Sequence, residues 1–330
     1  MVRRLLAAVF VVAALAAVLP AAEPVAIKID EWKVPWEKTR PRDPSVAQDG
    51  TIFFVGQQGD YVGHLNPATG EFKRYALEEG TGPHTQILDR QGYVWIAGNR
   101  KGYIGRLDPK TGEVKKYPMP VADARDPHTL AMDAKGDIFF TMQGANYVGK
   151  LETATGNIRL VKMITEDARP YGILVDPEGF AWFNQLGTNK VGRMEPKSLE
   201  VKNYTLPNEK ARDRRIARTS DGYIWYTDFA RGYLGRLDPK TGDVKEWAAP
   251  SAEKSRPYAI AADDKGRLWF SETGVQPVQL VGFDPKTETM FSVTKIPSGG
   301  GSIRHMVFDP KTRVIWFGTD ANTIGRAHIP

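Results

Sequence analysis

The 330-residue sequence contains no cysteine, which excludes disulfide bonds and thiolate metal sites. Basic and acidic residues are spread along the chain without long runs of one sign, which argues against nucleic acid as a partner. Long helical patterns are also missing, whereas 32 glycines and 23 prolines separate short runs of aromatic and β-branched residues. This composition indicates an all-β protein that is held together by its core alone.

The one long apolar run lies at the N-terminus, where MVRR precedes LLAAVFVVAALAAVLPAA. A basic start, a short apolar stretch and an alanine-rich end predict a secretory signal peptide over residues 1–22. The stretch from Leu5 to Leu19 is shorter than the roughly 20 residues of a membrane-spanning helix. Cleavage of this signal peptide would remove Arg3 and Arg4 and leave 43 basic and 39 acidic residues, a net charge of +4. We therefore expect a periplasmic or secreted protein without a membrane span, folded as one domain over residues 23–330.

The rest of the chain repeats itself with a period of about 43 residues. GYIGRLDPKTGEVKKYP begins at Gly102 and returns as GYLGRLDPKTGDVKEWA at Gly232. One glycine, followed in most units by Arg, Lys or His, marks the same place in every unit: Gly63, Gly105, Gly149, Gly192, Gly235, Gly282 and Gly325. In the second unit HTQIL, YVWIA, YIGRLD and EVKKYPM are four short strands separated by Gly, Asp and Pro turns.

Seven such units predict a seven-bladed β-propeller with four-stranded antiparallel blades. The last unit lacks its fourth strand, and IDEWKVP near the N-terminus resembles the fourth strand VKEWAAP of the fifth unit. We expect this N-terminal strand to close the last blade, which removes exposed sheet edges. Aromatic residues at one equivalent position should pack between blades and not hold a cofactor. They are Phe53, Trp95, Phe139, Trp182, Trp225, Trp269 and Trp316.

Two rings of residues are predicted at one mouth of the central channel, where propellers usually bind ligands. The first ring contains the residue that begins each inner strand: Arg42, His84, His128, Tyr171, Arg214, Tyr258 and His305. The second contains the residue that ends each following strand: Gly56, Gly98, Met142, Gln185, Asp228, Glu272 and Thr319. Converging titratable side chains indicate a binding site. The alternative is a narrow channel that is simply filled by polar side chains.

The charges of these rings suggest two kinds of ligand. Arg42 and Arg214, with Arg304 and Arg256 beside them, make the mouth basic and suit an anionic small molecule. Asp228 and Glu272 lie on adjacent blades and could hold one divalent cation, helped by His305 or by Gln185. The same two carboxylates could instead form ion pairs with the arginines of the mouth.

The units PYAIAADDKGRLWFSETG and PYGILVDPEGFAWFNQLGTNKVGR resemble those of the virginiamycin B lyase (streptogramin lyase) family over essentially the whole chain that follows the signal peptide. The resemblance implies a monomeric seven-bladed propeller that opens a cyclic depsipeptide by elimination at an ester, with Mg²⁺. The family's catalytic glutamate matches Glu272. Its general-base histidine falls on Tyr258, a second glutamate on Arg256 and a second histidine on Arg214.

Three functions are consistent with these observations. The first is a lyase acting on an ester or lactone, with Glu272 on a metal and His305 or Tyr258 in proton transfer. The second is a binding propeller without catalysis, which would hold an anionic small molecule or an acidic peptide. Its ligand-binding residues would be Arg42, His84, His128, Tyr171, Gln185, Arg214 and Arg256. The third is a scaffold that docks a periplasmic protein partner.

Overall fold

A computed structural model of the protein describes residues 24–330, which form seven four-stranded antiparallel sheets. The inner strands of neighbouring sheets lie against each other in a ring. The inner strand of the last sheet, β26 (Ile303–Asp309), closes the ring against the inner strand of the first, β2 (Pro41–Val46). The predicted seven-bladed propeller is therefore confirmed. The predicted signal peptide, residues 1–22, lies outside the described residues.

Each blade is a meander whose strands are written here from the channel outward. Blade one contains β2 (Pro41–Val46), β3 (Ile52–Gly56), β4 (Tyr61–Asn66) and β5 (Glu71–Ala76). Blade two contains β6 (Pro83–Leu88), β7 (Val94–Gly98), β8 (Tyr103–Leu107) and β9 (Val114–Pro118). Blade three contains β10 (Pro127–Met132), β11 (Ile138–Met142), β12 (Tyr147–Glu152) and β13 (Asn157–Lys162).

The later blades follow the same plan. Blade four contains β14 (Pro170–Val175), β15 (Ala181–Gln185), β16 (Lys190–Met194) and β17 (Val201–Thr205). Blade five contains β18 (Asp213–Arg218), β19 (Ile224–Asp228), β20 (Tyr233–Leu237) and β21 (Val244–Ala248). Blade six contains β22 (Pro257–Ala262), β23 (Leu268–Glu272), β24 (Gln279–Asp284) and β25 (Thr289–Lys295). Blade seven contains β26 (Ile303–Asp309), β27 (Val314–Thr319), β28 (Thr323–His328) and the N-terminal β1 (Ile29–Lys33).

The N-terminal strand closes the propeller as predicted. Strand β1 pairs with β28 in antiparallel register, with Ile29 opposite Ala327 and Lys33 opposite Thr323. The chain just before it continues onto the neighbouring blade, where the Val25 amide donates to the Phe291 carbonyl at 2.9 Å. The last blade therefore gains its fourth strand without a disulfide, and the edge of β28 is no longer open to another chain.

The apolar cores lie between neighbouring blades. Trp95 of blade two packs with Leu130 and Phe140 of blade three, and Trp269 of blade six packs with Phe317 of blade seven. The predicted inter-blade packing of the aromatic residues is confirmed. Because each blade buries its faces only against its neighbours, the ring must close for the end blades to complete their cores.

The repeated glycine–cation motif has a packing explanation. A side chain at Gly63 would place its Cβ 2.2 Å from the Phe54 ring, and one at Gly235 would reach the Tyr226 ring at 2.0 Å. The next residue stacks on aromatic rings, as Arg236 does on Tyr223 with its Cζ 4.3 Å from the ring centre. The motif that repeats most clearly is therefore structural, because it seats aromatic rings and caps them with a cation.

Helical structure contributes little to residues 24–330. The described helix is a 3₁₀ turn, Ala252–Lys254, in the loop between blades five and six. No helix in this part of the chain is long and apolar enough to cross a membrane.

Candidate functional site at the channel mouth

Every inner strand carries a register irregularity close to its start, where it pairs with the second strand. In blade two, for example, Pro83 lies opposite Gly98 but Gln86 lies opposite Ile96, which leaves His84 and Thr85 outside the ladder. Such bulges redirect side chains, so two consecutive residues of a blade can both contribute to the channel. The channel wall therefore has two layers.

The first layer contains six of the seven predicted residues: Arg42, His84, His128, Tyr171, Arg214 and Tyr258. The assignment of His305 to this layer was wrong by one residue. In blade seven Ile303 lies opposite Thr319 and Met306 opposite Phe317, so Arg304 occupies the first layer. His305 falls in the second layer, at the position of Thr85. The cause is the β26–β27 hairpin, which is one residue longer from Ile303 to its partner Thr319 than the hairpin of blade two from Pro83 to Gly98.

The second layer contributes a buried arginine that sequence reasoning missed. Arg215 of blade five donates from Nε to the Arg304 carbonyl of blade seven at 2.8 Å and from Nη1 to Thr129 Oγ1 of blade three at 3.3 Å. Its Nη2 lies 3.5 Å from Asp43 Oδ2 of blade one. None of these three blades is next to blade five, so the Arg215 side chain can reach them only across the central axis. Arg215 therefore spans the channel and ties the ring together.

Asp43 supplies the negative charge at the centre of this network. Its Oδ1 accepts from Arg42 Nε at 3.0 Å, and its Oδ2 accepts from Thr85 Oγ1 at 2.7 Å. Burial by itself raises the pKa of Asp43, but the Arg42 and Arg215 guanidinium groups hold that pKa well below its usual range. The carboxylate is therefore ionised and joins two arginines.

The histidines of the channel are neutral. Arg42 Nη1 lies 3.0 Å from His84 Nε2, and a guanidinium can only donate, so the His84 proton resides on Nδ1, which donates to the His128 carbonyl at 3.0 Å. The His84 and His128 ring centres are 3.5 Å apart. Burial and the nearby arginines lower the pKa of both rings well below the ordinary value. Burial also lowers the pKa of His305, to about 4.

Two tyrosines meet across the channel. The hydroxyls of Tyr171 in blade four and Tyr258 in blade six share a short hydrogen bond, and Arg214 Nη2 donates to Tyr171 Oη at 3.4 Å. Burial raises the pKa of Tyr171, but the guanidinium groups of Arg214, Arg215 and Arg42 outweigh the effect of burial and lower this pKa to about 8. Burial and the charge of its neighbour raise the pKa of Tyr258 to about 12. Tyr171 is thus the member of the pair that ionises first.

The protein's own side chains fill the channel. Arg42, His84, His128, Tyr171, Arg215 and Tyr258 are each 6 % exposed or less. This supports the alternative in which polar residues simply pack a narrow channel. A ligand must therefore bind above this plug, where the mouth residues are accessible.

The accessible mouth is built around Phe229, which was not predicted. Its ring lies 4.2 Å from Arg214 Cζ and 5.9 Å from Arg256 Cζ, between the two guanidinium groups. Arg214 also covers the Tyr258 ring at 3.8 Å and is half-buried, whereas Arg256 is exposed. Neither arginine has a carboxylate oxygen within 4.0 Å in the described part of the chain.

The two carboxylates of the second predicted ring, Glu272 and Asp228, contact neighbouring loops and not the arginines of the mouth. Glu272 is fully buried, and its carboxylate accepts from Ser251 N at 2.8 Å and Ser251 Oγ at 2.9 Å. Asp228 is held by Arg231 Nη1 at 3.1 Å and not by Arg214 or Arg256. The position of a strand's last residue in a hairpin does not determine whether its side chain faces the channel axis or the space between blades.

Gln185 is also turned outward within its own blade. Its Nε2 donates to Asn203 Oδ1 on the outer strand β17 at 2.6 Å, and the side chain is fully buried. The predicted ligand role of Gln185 is therefore not supported by its position.

The residues present do not fit a magnesium site. Glu272 is bound to Ser251, and Asp228 accepts from Arg231 and from the backbone amides of Arg212 and Ala230 at 3.0 and 3.2 Å. Residues 24–330 contain no group of three or more His, Asp or Glu side chains arranged to hold a metal ion. Octahedral Mg²⁺ needs free carboxylate oxygens and water, and both carboxylates are already engaged by donors.

Comparisons with known proteins agree with this fold. The model of the virginiamycin B lyase family matches residues 27–327. A streptogramin B lyase structure is 24% identical with a TM-score of 0.83, covering 92% of this chain and 98% of that one. The selenomethionine-substituted virginiamycin B lyase from Staphylococcus aureus is 23% identical with the same TM-score, covering 92% and 100%.

A third solved structure is the extracellular domain of a hybrid two-component system from B. thetaiotaomicron. It is 13% identical with a TM-score of 0.70, covering 91% of this chain and 39% of that one. No curated protein matches the chain. Structural matches at such identities establish the fold, and the family model covers nearly all of the propeller. The chain therefore belongs to the virginiamycin B lyase family.

Proposed function

We propose that this protein is an exported binding propeller that holds an anionic small molecule at its channel mouth. The observation that carries the proposal is Arg214. Its guanidinium is stacked on aromatic rings, its Nε is buried without an acceptor, and no described carboxylate neutralises it. A partly desolvated guanidinium without a carboxylate partner is costly, and a ligand carboxylate would relieve that cost with charge-assisted hydrogen bonds.

The charge balance of the channel supports the same ligand chemistry. The channel and its mouth hold three arginines, Arg42, Arg214 and Arg215, against one ionised carboxylate, Asp43, which forms ion pairs with only Arg42 and Arg215, and the histidines are neutral. Arg42 Nη2 is also buried without an acceptor. An excess of positive charge in a low-dielectric setting attracts anions to the mouth. The aromatic rings around Arg214 add a surface on which an apolar part of the ligand can stack.

Export rests on the N-terminal sequence, with its basic start, short apolar stretch and alanine-rich end. The likeness to an extracellular propeller domain supports the same location. A protein outside the cytoplasm would meet its anionic ligand in the periplasm or in the medium.

The proposal is tested by titration calorimetry of the purified protein with acetate, succinate, citrate and inorganic phosphate. We expect saturable binding of at least one of these anions, weakened by salt and reduced about tenfold or more by Arg214→Ala. Arg90→Ala is the matched control, because Arg90 is exposed on a turn at the opposite face. Absence of binding by the wild type, or equal losses in both variants, would overturn the proposal.

A second candidate is a lyase that eliminates across a carbon–oxygen bond, and one observation favours it. Tyr171 has a pKa lowered to about 8 and hydrogen-bonds Tyr258, which occupies the position of the family's base. A phenolate so stabilised is a stronger base candidate than an ordinary tyrosine at neutral pH. Mass spectrometry of a cyclic depsipeptide incubated with the protein tests it, because elimination opens the ring without adding water. Turnover abolished by Tyr171→Phe would establish the lyase.

A further inference from the structure

A groove crosses the mouth face above blade five. It has a volume of about 1160 Å³, and the loop around Lys210 forms one wall while the loop from Pro250 to Arg256 forms the other. Ala230 and Tyr233 form its floor, and Ala230 follows Phe229 of the mouth. The groove therefore begins beside the small-molecule site and extends away from the channel.

The groove is basic, because its cations outnumber the one carboxylate that lines it, Glu253, which forms no ion pair with any of them. Lys210, Lys254 and Arg256 line it and are exposed, and none has a carboxylate oxygen within 4.0 Å among residues 24–330. Arg231 also lines it but is paired with Asp228 and Glu246. Because cations with no acidic partner repel one another, this arrangement favours a ligand that brings carboxylates.

Other sectors of the mouth balance their charges. Glu78, in the loop that leads to blade two, pairs with Lys101 at 3.1 Å and with Lys116 at 2.5 Å. Asp320 of blade seven pairs with Arg304 and lies 3.6 Å from Arg40 Nε. In these two sectors the charges are paired, unlike those of Lys210, Lys254 and Arg256 in the groove.

The groove wall is held in place by the fold. Glu272 binds both N and Oγ of Ser251, and the loop packs so closely that a Cβ on Gly232 would lie 1.9 Å from the Ala252 carbonyl oxygen. A Cβ on Gly274 would lie 2.0 Å from the Lys254 carbonyl oxygen. A preformed wall reduces the entropy lost on binding. The residue that aligns with the family's catalytic glutamate thus supports this loop.

We propose that the groove binds an extended acidic segment of a protein partner. Tyr233, Pro250 and Ala248 offer apolar contacts between the cations, which suits side chains that alternate between carboxylate and small apolar groups. The binding is distinct from that of the small anion, because it depends on the lysines of the two loops. The mouth arginine Arg214 does not line the groove.

The test is fluorescence anisotropy with a labelled peptide of alternating Glu and Ala, against the same peptide with Gln for Glu. We expect saturable, salt-sensitive binding of the Glu peptide alone. The double variant Lys210→Glu/Lys254→Glu should weaken it at least tenfold. Lys110→Glu/Lys135→Glu, with the same change of charge on exposed turns of the opposite face, should not.

Three outcomes would overturn the proposal. The first is that the Gln peptide binds as tightly as the Glu peptide. The second is that both double variants lose the same affinity for the Glu peptide. The third is that a polyuronate binds as tightly as the Glu peptide and through the same lysines. Thermal melting of each variant separates lost binding from misfolding, and Lys210→Ala/Lys254→Ala gives a milder test of the same site. Arg214→Ala separates the two proposals, because it should abolish binding of the small carboxylate and leave peptide binding within about twofold of the wild type.

Discussion

The channel and the mouth of this propeller use their arginines differently. In the channel Arg42 and Arg215 share the Asp43 carboxylate, and Arg215 joins three other blades. At the mouth Arg214 and Arg256 contact aromatic rings and no described carboxylate. Charges that are neutralised within the fold contribute to its stability, whereas charges without a partner are available to a ligand. We therefore expect substitutions in the channel to reduce stability and substitutions at the mouth to reduce binding.

The largest expected effect is that of Arg215→Ala. Arg215 is 3% exposed, so its loss leaves Asp43 buried with one partner fewer and opens space in the channel. We expect the free energy of unfolding to fall by about 3–5 kcal/mol, the range for breaking a buried ion pair. Arg256→Ala, at an exposed position, should change it by less than about 0.5 kcal/mol. Urea denaturation measures both, and similar losses would remove the distinction between channel and mouth.

The ionisation of Tyr171 measures how strongly the positive charge of the neighbouring arginines lowers the pKa of a phenol in the channel. Ultraviolet titration should show one tyrosine ionising near pH 8, the pKa to which the arginines lower it, and Tyr171→Phe should remove that step. This pKa is depressed in the folded state, so the ionised phenol adds stability as the pH rises above 8 and loses it as the pH falls through 8. A bound anion should raise the apparent pKa, because it neutralises the same arginines. A titration that begins only near pH 10 would contradict the charge balance described here.

The neutral histidines predict sensitivity to acid. The pKa of His305 is lowered to about 4 in the fold, so between pH 6.5 and 4 the unfolded chain binds more protons and stability falls as the pH drops. His305→Asn should reduce this slope by about 1.4 kcal/mol per pH unit. His305 Nδ1 has no hydrogen-bond partner, so the variant should cost little at pH 7.5. Identical slopes for the wild type and the variant in urea denaturation would show that His305 is not a buried neutral group.

A smaller effect than that of Arg215→Ala is expected of Glu272→Gln. The variant keeps an acceptor for Ser251 but loses the charge of the hydrogen bonds, which should cost about 1 kcal/mol of stability. Binding of small carboxylates should stay within about twofold of the wild type. Magnesium titrated into the wild type should show no saturable binding. Binding that disappears in Glu272→Gln would instead restore the metal site that the family resemblance implies.

Many of the residues that line the channel, but few of the contacts between them, could be predicted from the sequence. The period located six first-layer residues correctly, because equivalent positions in a repeat occupy equivalent places in space. Arg215 and Asp43 were missed because simple strand alternation would send their side chains to the other side. The bulges bring both layers into the channel. His305 was misplaced by one residue because a single extra residue in the hairpin of blade seven shifts the register.

The sequence by itself determined the fold of this protein: the repeat specifies seven four-stranded blades, and the N-terminal strand specifies how the ring closes. Tertiary structure alone decided which charges are paired. Glu272 and Asp228 face Ser251 and Arg231, whereas Arg214 and Arg256 face an aromatic ring. The physical reason is that a strand repeat fixes backbone positions at intervals of one blade. The partner of a charged side chain depends instead on bulges, turn lengths and loops that bring together residues from distant parts of the chain.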